Sequence, residues 1–196
     1  MKLLGLCGSP STPSKTLTAL ETALAHVRSV RPDVEADVLN LRDLRMQFCD
    51  GRDPSAYEGD TRRAIDRVVT ADALLVGSPM YRGSYTGALK NLFDVLPNEA
   101  LSGKPVGLIA TGGTDHHFLA VEHQLKPLMG FFHAHVLPGA VYANNTHYAG
   151  GELVDEGVRT RLAQLGEAVV AFAERVPNGL VGASGPEIPR RSLAES

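Results

Sequence analysis

The residues best equipped for chemistry stand in the first 16 positions. Lys2 to Gly8 (KLLGLCG) is a short apolar run that stops abruptly, and Ser9-Pro10-Ser11-Thr12-Pro13-Ser14-Lys15-Thr16 follows before an amphipathic stretch begins. Strand, hydroxyl-rich turn and helix in that order aim backbone N–H groups and hydroxyls at a helix N-terminus, where the dipole favours an anion. A phosphate suits that geometry, and spacing selects which one. The wrapped loop of nucleotide hydrolases reads G-x-x-x-x-G-K-[ST]. Here the interval from Gly8 to Lys15-Thr16 is one residue too long, and Ser14 precedes the lysine where a glycine is needed. A hydroxyl-lined turn is better matched to a single terminal phosphate monoester. The same serines also serve an ordinary βα turn as helix caps, so the turn taken alone leaves both uses open.

Two further loops carry unusual residues. Ser78-Pro79-Met80-Tyr81-Arg82-Gly83-Ser84-Tyr85-Thr86-Gly87 follows one apolar run, and Thr111-Gly112-Gly113-Thr114-Asp115-His116-His117 follows another. Pro79 fixes a dihedral, and the glycines let backbone approach a flat ligand closely. His116 and His117 invite an acid/base role and equally fit the start of the next helix.

The elements that must position these loops alternate along the chain. Leu17, Leu20, Leu24 and Val27 mark a helical face; Val34 to Leu41 alternates as a strand; Ile65, Val68 and Val69 mark a second helix after a polar loop. Ala73 to Gly77 and Pro105 to Ala110 are continuous apolar strands, with Leu89, Leu92, Phe93 and Leu96 on a helix between them. A helix is predicted over 118–132, a fifth strand over 134–143, and a last helix through Val158, Leu162, Leu165, Val169, Phe172 and Val176. Five strands alternating with five helices predict a parallel sheet covered on both sides. The simplest architecture is an α/β three-layer sandwich, a five-stranded parallel sheet of flavodoxin-like order 2-1-3-4-5 with its ligand at the carboxyl ends of strands one and three. All three loops then share one edge of the sheet.

Composition narrows the classes. The chain has 196 residues, 43% hydrophobic, which fits one domain over residues 1–176 followed by an irregular tail over 177–196 rich in Pro, Gly, Ser and Arg. A net charge of −3 argues against nucleic acid or an anionic membrane as partner. No apolar run approaches the roughly 20 residues of a membrane span, and no signal peptide precedes the first strand, so a cytoplasmic protein is expected. Cys7 and Cys49 lack metal-ligand spacing, and a disulfide between them is not expected in that compartment.

The segments GSPSTPSKT, SPMYRGSYTGALKNLFDVLP and ATGGT resemble the NAD(P)H-dependent FMN reductases, and most closely the reductase components of two-component alkanesulfonate and methanesulfonate monooxygenases. The likeness runs from Lys2 to about Val176. Pro79, Tyr81, Arg82 and Gly87 match the family's second-loop pattern, whereas many members carry arginine where this chain has Ser11 or Thr12. The resemblance implies non-covalent FMN with its phosphate in the first loop, held by Ser9, Ser11, Ser14, Thr16 and Lys15. It places Met80, Tyr81, Arg82, Gly83 and Ser84 beside the ring and ribityl chain. Thr111, Gly112, Gly113 and Thr114, with Asp115 beside them, then meet the pyrimidine edge. The Gly112 and Gly113 N–H groups stabilise the charge that develops there on reduction. No protein acid or base is required, because the flavin carries the hydride chemistry. NAD(P)H is the expected co-substrate, and a flavin-dependent monooxygenase a possible recipient. A quinone, azo or chromate reductase remains the alternative, and a flavodoxin-type electron carrier a further one. The absence of tryptophan and the near-neutral charge speak against the carrier.

The helix after the third loop supplies two more expectations. Leu125, Leu128, Met129, Phe131 and Phe132 exceed what one sheet face needs, which suggests a homo-oligomer, a dimer or tetramer. Pro127 removes the N–H that would serve the His123 carbonyl, so irregular hydrogen bonding is predicted at residues 121–127, with a single wide turn one recurrent solution. In some relatives a tyrosine at the matching position makes such a turn at the oligomer interface and aids flavin transfer. The resemblance therefore points His123 toward a neighbouring subunit.

Overall fold

The computed structural model describes residues 1–176 and 182–183. The strands are β1 (Lys2–Cys7), β2 (Glu35–Asn40), β3 (Ala73–Pro79), β4 (Pro105–Thr111), β5 (His135–Val136) and β6 (Val141–Ala143), with a β7 (Tyr148–Ala149) and β8 (Glu152–Leu153) hairpin beyond them. The helices are α1 (Lys15–Val30), α2 (Gly59–Thr70), α3 (Gly87–Val95), α4 (Lys126–Phe131) and α5 (Glu156–Arg175). The main sheet is parallel, in the order β2-β1-β3-β4-β5, with β6 also on β4. This is the expected order. Every residue of β3 and β4 is buried, as continuous apolar strands in the middle of a covered sheet must be.

Two cores flank the sheet. Helices α2, α3 and α4 close one face around Leu74, Val76, Leu89 and Leu92, while α1 and α5 close the other around Leu20, Leu24, Leu162 and Val169. Burying each such leucine or valine contributes about 1.5–3 kcal/mol. The three site loops are thereby anchored from below by residues that cannot shift singly.

The structure differs from expectation at the fifth strand. It is two pieces, His135–Val136 against the start of β4 and Val141–Ala143 against its end. Between them Pro138 has no N–H for the ladder and Gly139 takes φ +83°, so pairing stops and resumes. The helix predicted over 118–132 differs as well. A 3₁₀ turn spans Asp115–His117, a π-helical turn spans Val121–Leu125, and only Lys126–Phe131 is regular α-helix. The Lys126 N–H bonds the Val121 carbonyl, five residues back. This is the irregular bonding that Pro127 predicts. Leu125, Met129 and Phe132 are buried within the subunit, which leaves Phe131, 52% exposed, and half-buried Leu128 as outward apolar surface. Most of the tail over 177–196 lies outside the described residues. No helix among the described residues is long and apolar enough to cross a membrane.

Candidate active site

The first loop is built as a helix cap. Ser14 adopts extended backbone, and its Oγ accepts the Leu17 N–H at 3.1 Å, which starts α1 at Lys15. No acidic residue occupies the first turn of α1, so the positive end of its dipole is not neutralised locally. Ser9 is buried, and its Oγ accepts the Ser11 N–H at 3.3 Å. Thr16 is also buried, its Oγ1 2.7 Å from Thr111 Oγ1, which ties the first loop to the end of β4. Lys15 Nζ donates to Asn145 Oδ1 at 2.7 Å and lies 5.3 Å from the centroid of the Tyr148 ring.

The second loop is fastened at both ends. The Met80 N–H donates to the Thr111 carbonyl at 2.7 Å, and the Met80 side chain is buried in the core. Thr86 Oγ1 donates to the Gly8 carbonyl at 2.6 Å while it accepts the Leu89 N–H at the start of α3. Between these anchors Tyr81 and Ser84 exchange backbone hydrogen bonds of 2.7 and 3.1 Å. Arg82 and Gly83 at the tip take φ +54° and +82°, as a type I′ turn requires. Tyr81 Oη lies 3.0 Å from Ser11 Oγ, so the first and second loops meet across the mouth of the site. Ser84 Oγ reaches Gln124 of the π-helical turn at 3.4 Å.

The third loop shows why its two glycines are not equivalent. The Gly112 N–H is already donated to the Ala143 carbonyl at 3.1 Å. A Cβ at Gly112 would sit 2.0 Å from Tyr142 Oη, which itself donates to the Thr114 carbonyl at 2.6 Å. Gly112 is therefore a packing requirement, and its N–H is not available to a ring, contrary to the expectation for it. Gly113 is different. A Cβ there would meet only Asn145 Nδ2 at 3.9 Å. Its N–H makes no bond among the described residues. Asp115 is held by the Asn144 amide at 2.7 Å, and Thr114 Oγ1 lies 2.8 Å from His116 Nδ1. His116 and His117 stand in the 3₁₀ turn, whose start carries no side-chain cap hydrogen bond.

These loops enclose a cavity of about 280 Å³. Its lining comprises Ser9, Ser11, Lys15 and Thr16 of the first loop, Pro79, Met80 and Tyr81 of the second, and Thr111, Gly112 and Gly113 of the third. Ser14 acts from behind, through the cap. Arg82, Gly83, Ser84, Thr114 and Asp115 lie off the wall, the first three in the turn at its rim. Pro13, Asn145 and Gly151 line the cavity and were not foreseen. The adjacent glycines Gly150 and Gly151, at φ +58° and +90°, were the only sequence signal for the hairpin that brings Gly151 there.

Of the described residues that line the cavity, Lys15 alone carries a charge. Burial pushes the Tyr148 hydroxyl up to about 12 and raises Tyr142, with the nearby Asp115 charge adding to the latter, so both stay protonated donors. Burial likewise raises the Cys7 thiol, which is an inert strand residue, and both cysteines are free. No metal-binding cluster occurs among the described residues. Hydroxyls and an unneutralised helix end suit a phosphate ester. A Cβ-free wall with an unused N–H at Gly113 suits the edge of a planar ring.

Comparison with known proteins places the chain in a family. The family model for NADPH-dependent FMN reductases matches residues 1–149, and the chain belongs to that family. It is 44% identical over 184 residues to an NAD(P)H-dependent FAD/FMN reductase of Geobacillus thermodenitrificans, covering 93% of this chain and 99% of the relative. It is 33% identical over 172 residues to the NADH-dependent FMN reductase SfnF of Pseudomonas putida, covering 88% and 92%. Among solved structures, the apo form of the NADH:FMN oxidoreductase EMOB superposes with a TM-score of 0.72 at 30% identity, over 90% of each chain.

Proposed function

We propose that the protein transfers hydride from NAD(P)H to FMN bound at the shared edge of β1, β3 and β4. The carrying observation is that an anion-receptive helix start and the Cβ-free, unbonded N–H of Gly113 open into one cavity. Bound FMN supplies the hydride chemistry. The chain binds, orients and shields. Ser9, Ser11, Thr16 and Lys15 receive the phosphate. Ser14 serves it through the cap. Pro79, Met80 and Tyr81 flank the ring, with Arg82, Gly83 and Ser84 at the rim beside the entering nicotinamide. Thr111 and Gly113 meet the pyrimidine edge, Gly113 N–H being the donor in place to stabilise negative charge there. Thr114 and Asp115 hold that loop in shape.

The wider reading follows from the same chemistry. Reduced FMN leaves for a flavin-dependent monooxygenase, and the enzyme works in the cytoplasm as a homo-oligomer, a dimer or tetramer. Residues 1–176 form the catalytic domain, with 177–196 as its tail. His123, exposed on the π-helical turn, faces a neighbouring subunit and bears on flavin release. Steady oxidation of NADH or NADPH on addition of free FMN, with turnover exceeding enzyme concentration, is the expected result. A single stoichiometric reduction would identify an electron carrier instead, and faster turnover with menadione or an azo dye than with FMN would favour the alternative reductases.

A further inference from the structure

Lys15 is the cation of the phosphate turn, yet its side chain is not left to find an anion by itself. Its ammonium donates to Asn145 Oδ1 at 2.7 Å and stands over the Tyr148 ring at 5.3 Å. Tyr148 in turn donates its hydroxyl to the Lys15 carbonyl at 3.0 Å, so one aromatic holds both ends of the lysine. Asn145 is fixed as the first residue of a short turn. Asn144 Oδ1 accepts the Thr146 N–H at 2.8 Å, and the Asn144 N–H donates to His147 Nδ1 at 3.1 Å. The partners of Lys15 are neutral, and it makes no ion pair among the described residues. Its charge is thus placed without being cancelled. Both Lys15 and Asn145 line the cavity.

A free lysine loses much rotamer freedom when it meets a ligand, whereas one already held loses less, which favours binding. We propose that Asn145, supported by Tyr148, is a positioning residue for phosphate recognition: it holds the Lys15 ammonium on the cavity wall as an uncancelled charge, so the preference for phosphorylated over unphosphorylated flavin depends on it. The inference rests on the reading that the FMN phosphate occupies the first loop. A carboxylate in place of the amide would keep the geometry and cancel the charge.

The test is fluorescence titration of FMN and riboflavin against wild type, Lys15→Met, Asn145→Ala, Asn145→Asp and the double variant Lys15→Met/Asn145→Ala. Asn145→Ala is expected to weaken FMN about threefold to fivefold, and Asn145→Asp about tenfold or more, with riboflavin nearly unchanged in both. In the Lys15→Met background Asn145→Ala should add nothing, since its effect passes through the lysine. Thermal unfolding of Asn145→Ala should match wild type, because the side chain is exposed. Equal FMN and riboflavin affinity in wild type would overturn the phosphate reading itself. A preference for FMN that Asn145→Ala leaves intact, or a loss of FMN affinity on Asn145→Ala that is as large in the Lys15→Met background as in wild type, would overturn this inference alone.

Discussion

Helix α1 and the helical segment after β4 leave the same edge of the sheet, toward the same cavity, and are built in opposite ways. Helix α1 has a side-chain cap, 16 residues and a buried stripe of Ala19, Leu20, Ala23, Leu24 and Val27. The segment after β4 passes through a 3₁₀ turn and a five-residue π turn before 6 residues of α-helix. The regular start presents backbone donors at fixed positions, which suits a small charged group. The irregular start leaves room for a loop whose shape is set from outside, by Tyr142 and Asn144. The first loop is capped within its own turn by Ser14, with its lysine tied from afar by Asn145 and Tyr148, whereas the third loop takes its shape from Tyr142 and Asn144 at the end of β6.

The largest test of that contrast lies at the ring end. Gly112→Ala should destabilise the protein by about 1–3 kcal/mol through the clash with Tyr142, as overpacked sites do. Gly113→Ala, one residue on, should leave the melting temperature unchanged and weaken flavin instead, because its Cβ would meet only the Asn145 amide, at the ordinary contact distance of 3.9 Å. Calorimetry and titration of the pair check both; equal melting temperatures would remove the distinction. At the phosphate end, riboflavin should bind at least ~10-fold more weakly than FMN, given charge-assisted bonds worth roughly 1.5–3 kcal/mol each. Fluorescence titration decides it. A smaller effect is expected for Ser14→Ala, which removes the α1 cap and costs about 1 kcal/mol. That is a fall of about 2–4 °C in Tm for a chain of this size, with a modest loss of FMN affinity and little change for riboflavin. The smallest thermodynamic effect belongs to deletion of His123. Deletion removes the extra residue of the π turn but leaves the carbonyl that Pro127 cannot serve, so stability should change little. FMN should then stay bound through purification, giving a yellow variant beside a colourless wild type; identical flavin content in the two would discard the transfer role.

How far the sequence can be read follows the same division. The buried runs of β3 and β4 and the hydroxyl turn before α1 are written in consecutive residues, so their placement is legible. Pro127 announces irregular bonding because a missing N–H acts within one turn. The break in the fifth strand was also written, in Pro138-Gly139, but an apolar run on either side outweighs it. Gly112 and Gly113 cannot be told apart from sequence. The atom that separates their roles belongs to Tyr142, thirty positions away and reached only through β6 pairing with β4. Asn145 and Tyr148 carry no motif either. Their bonds to Lys15 span 130 and 133 positions, across an irregular segment whose path no periodicity predicts.

The turn at the rim carries a consequence for how this enzyme can be altered. Arg82 sits at φ +54°, a conformation that costs an L-residue with a long side chain roughly 1–2 kcal/mol and that asparagine tolerates far better. Nothing in the hydrogen bonding of the turn needs arginine, since Tyr81 and Ser84 close it through backbone alone. Replacement by asparagine should therefore raise the melting temperature while it deletes the rim's positive charge. Selection for heat tolerance would find that change early, and its cost would be read in whatever that charge at the rim serves.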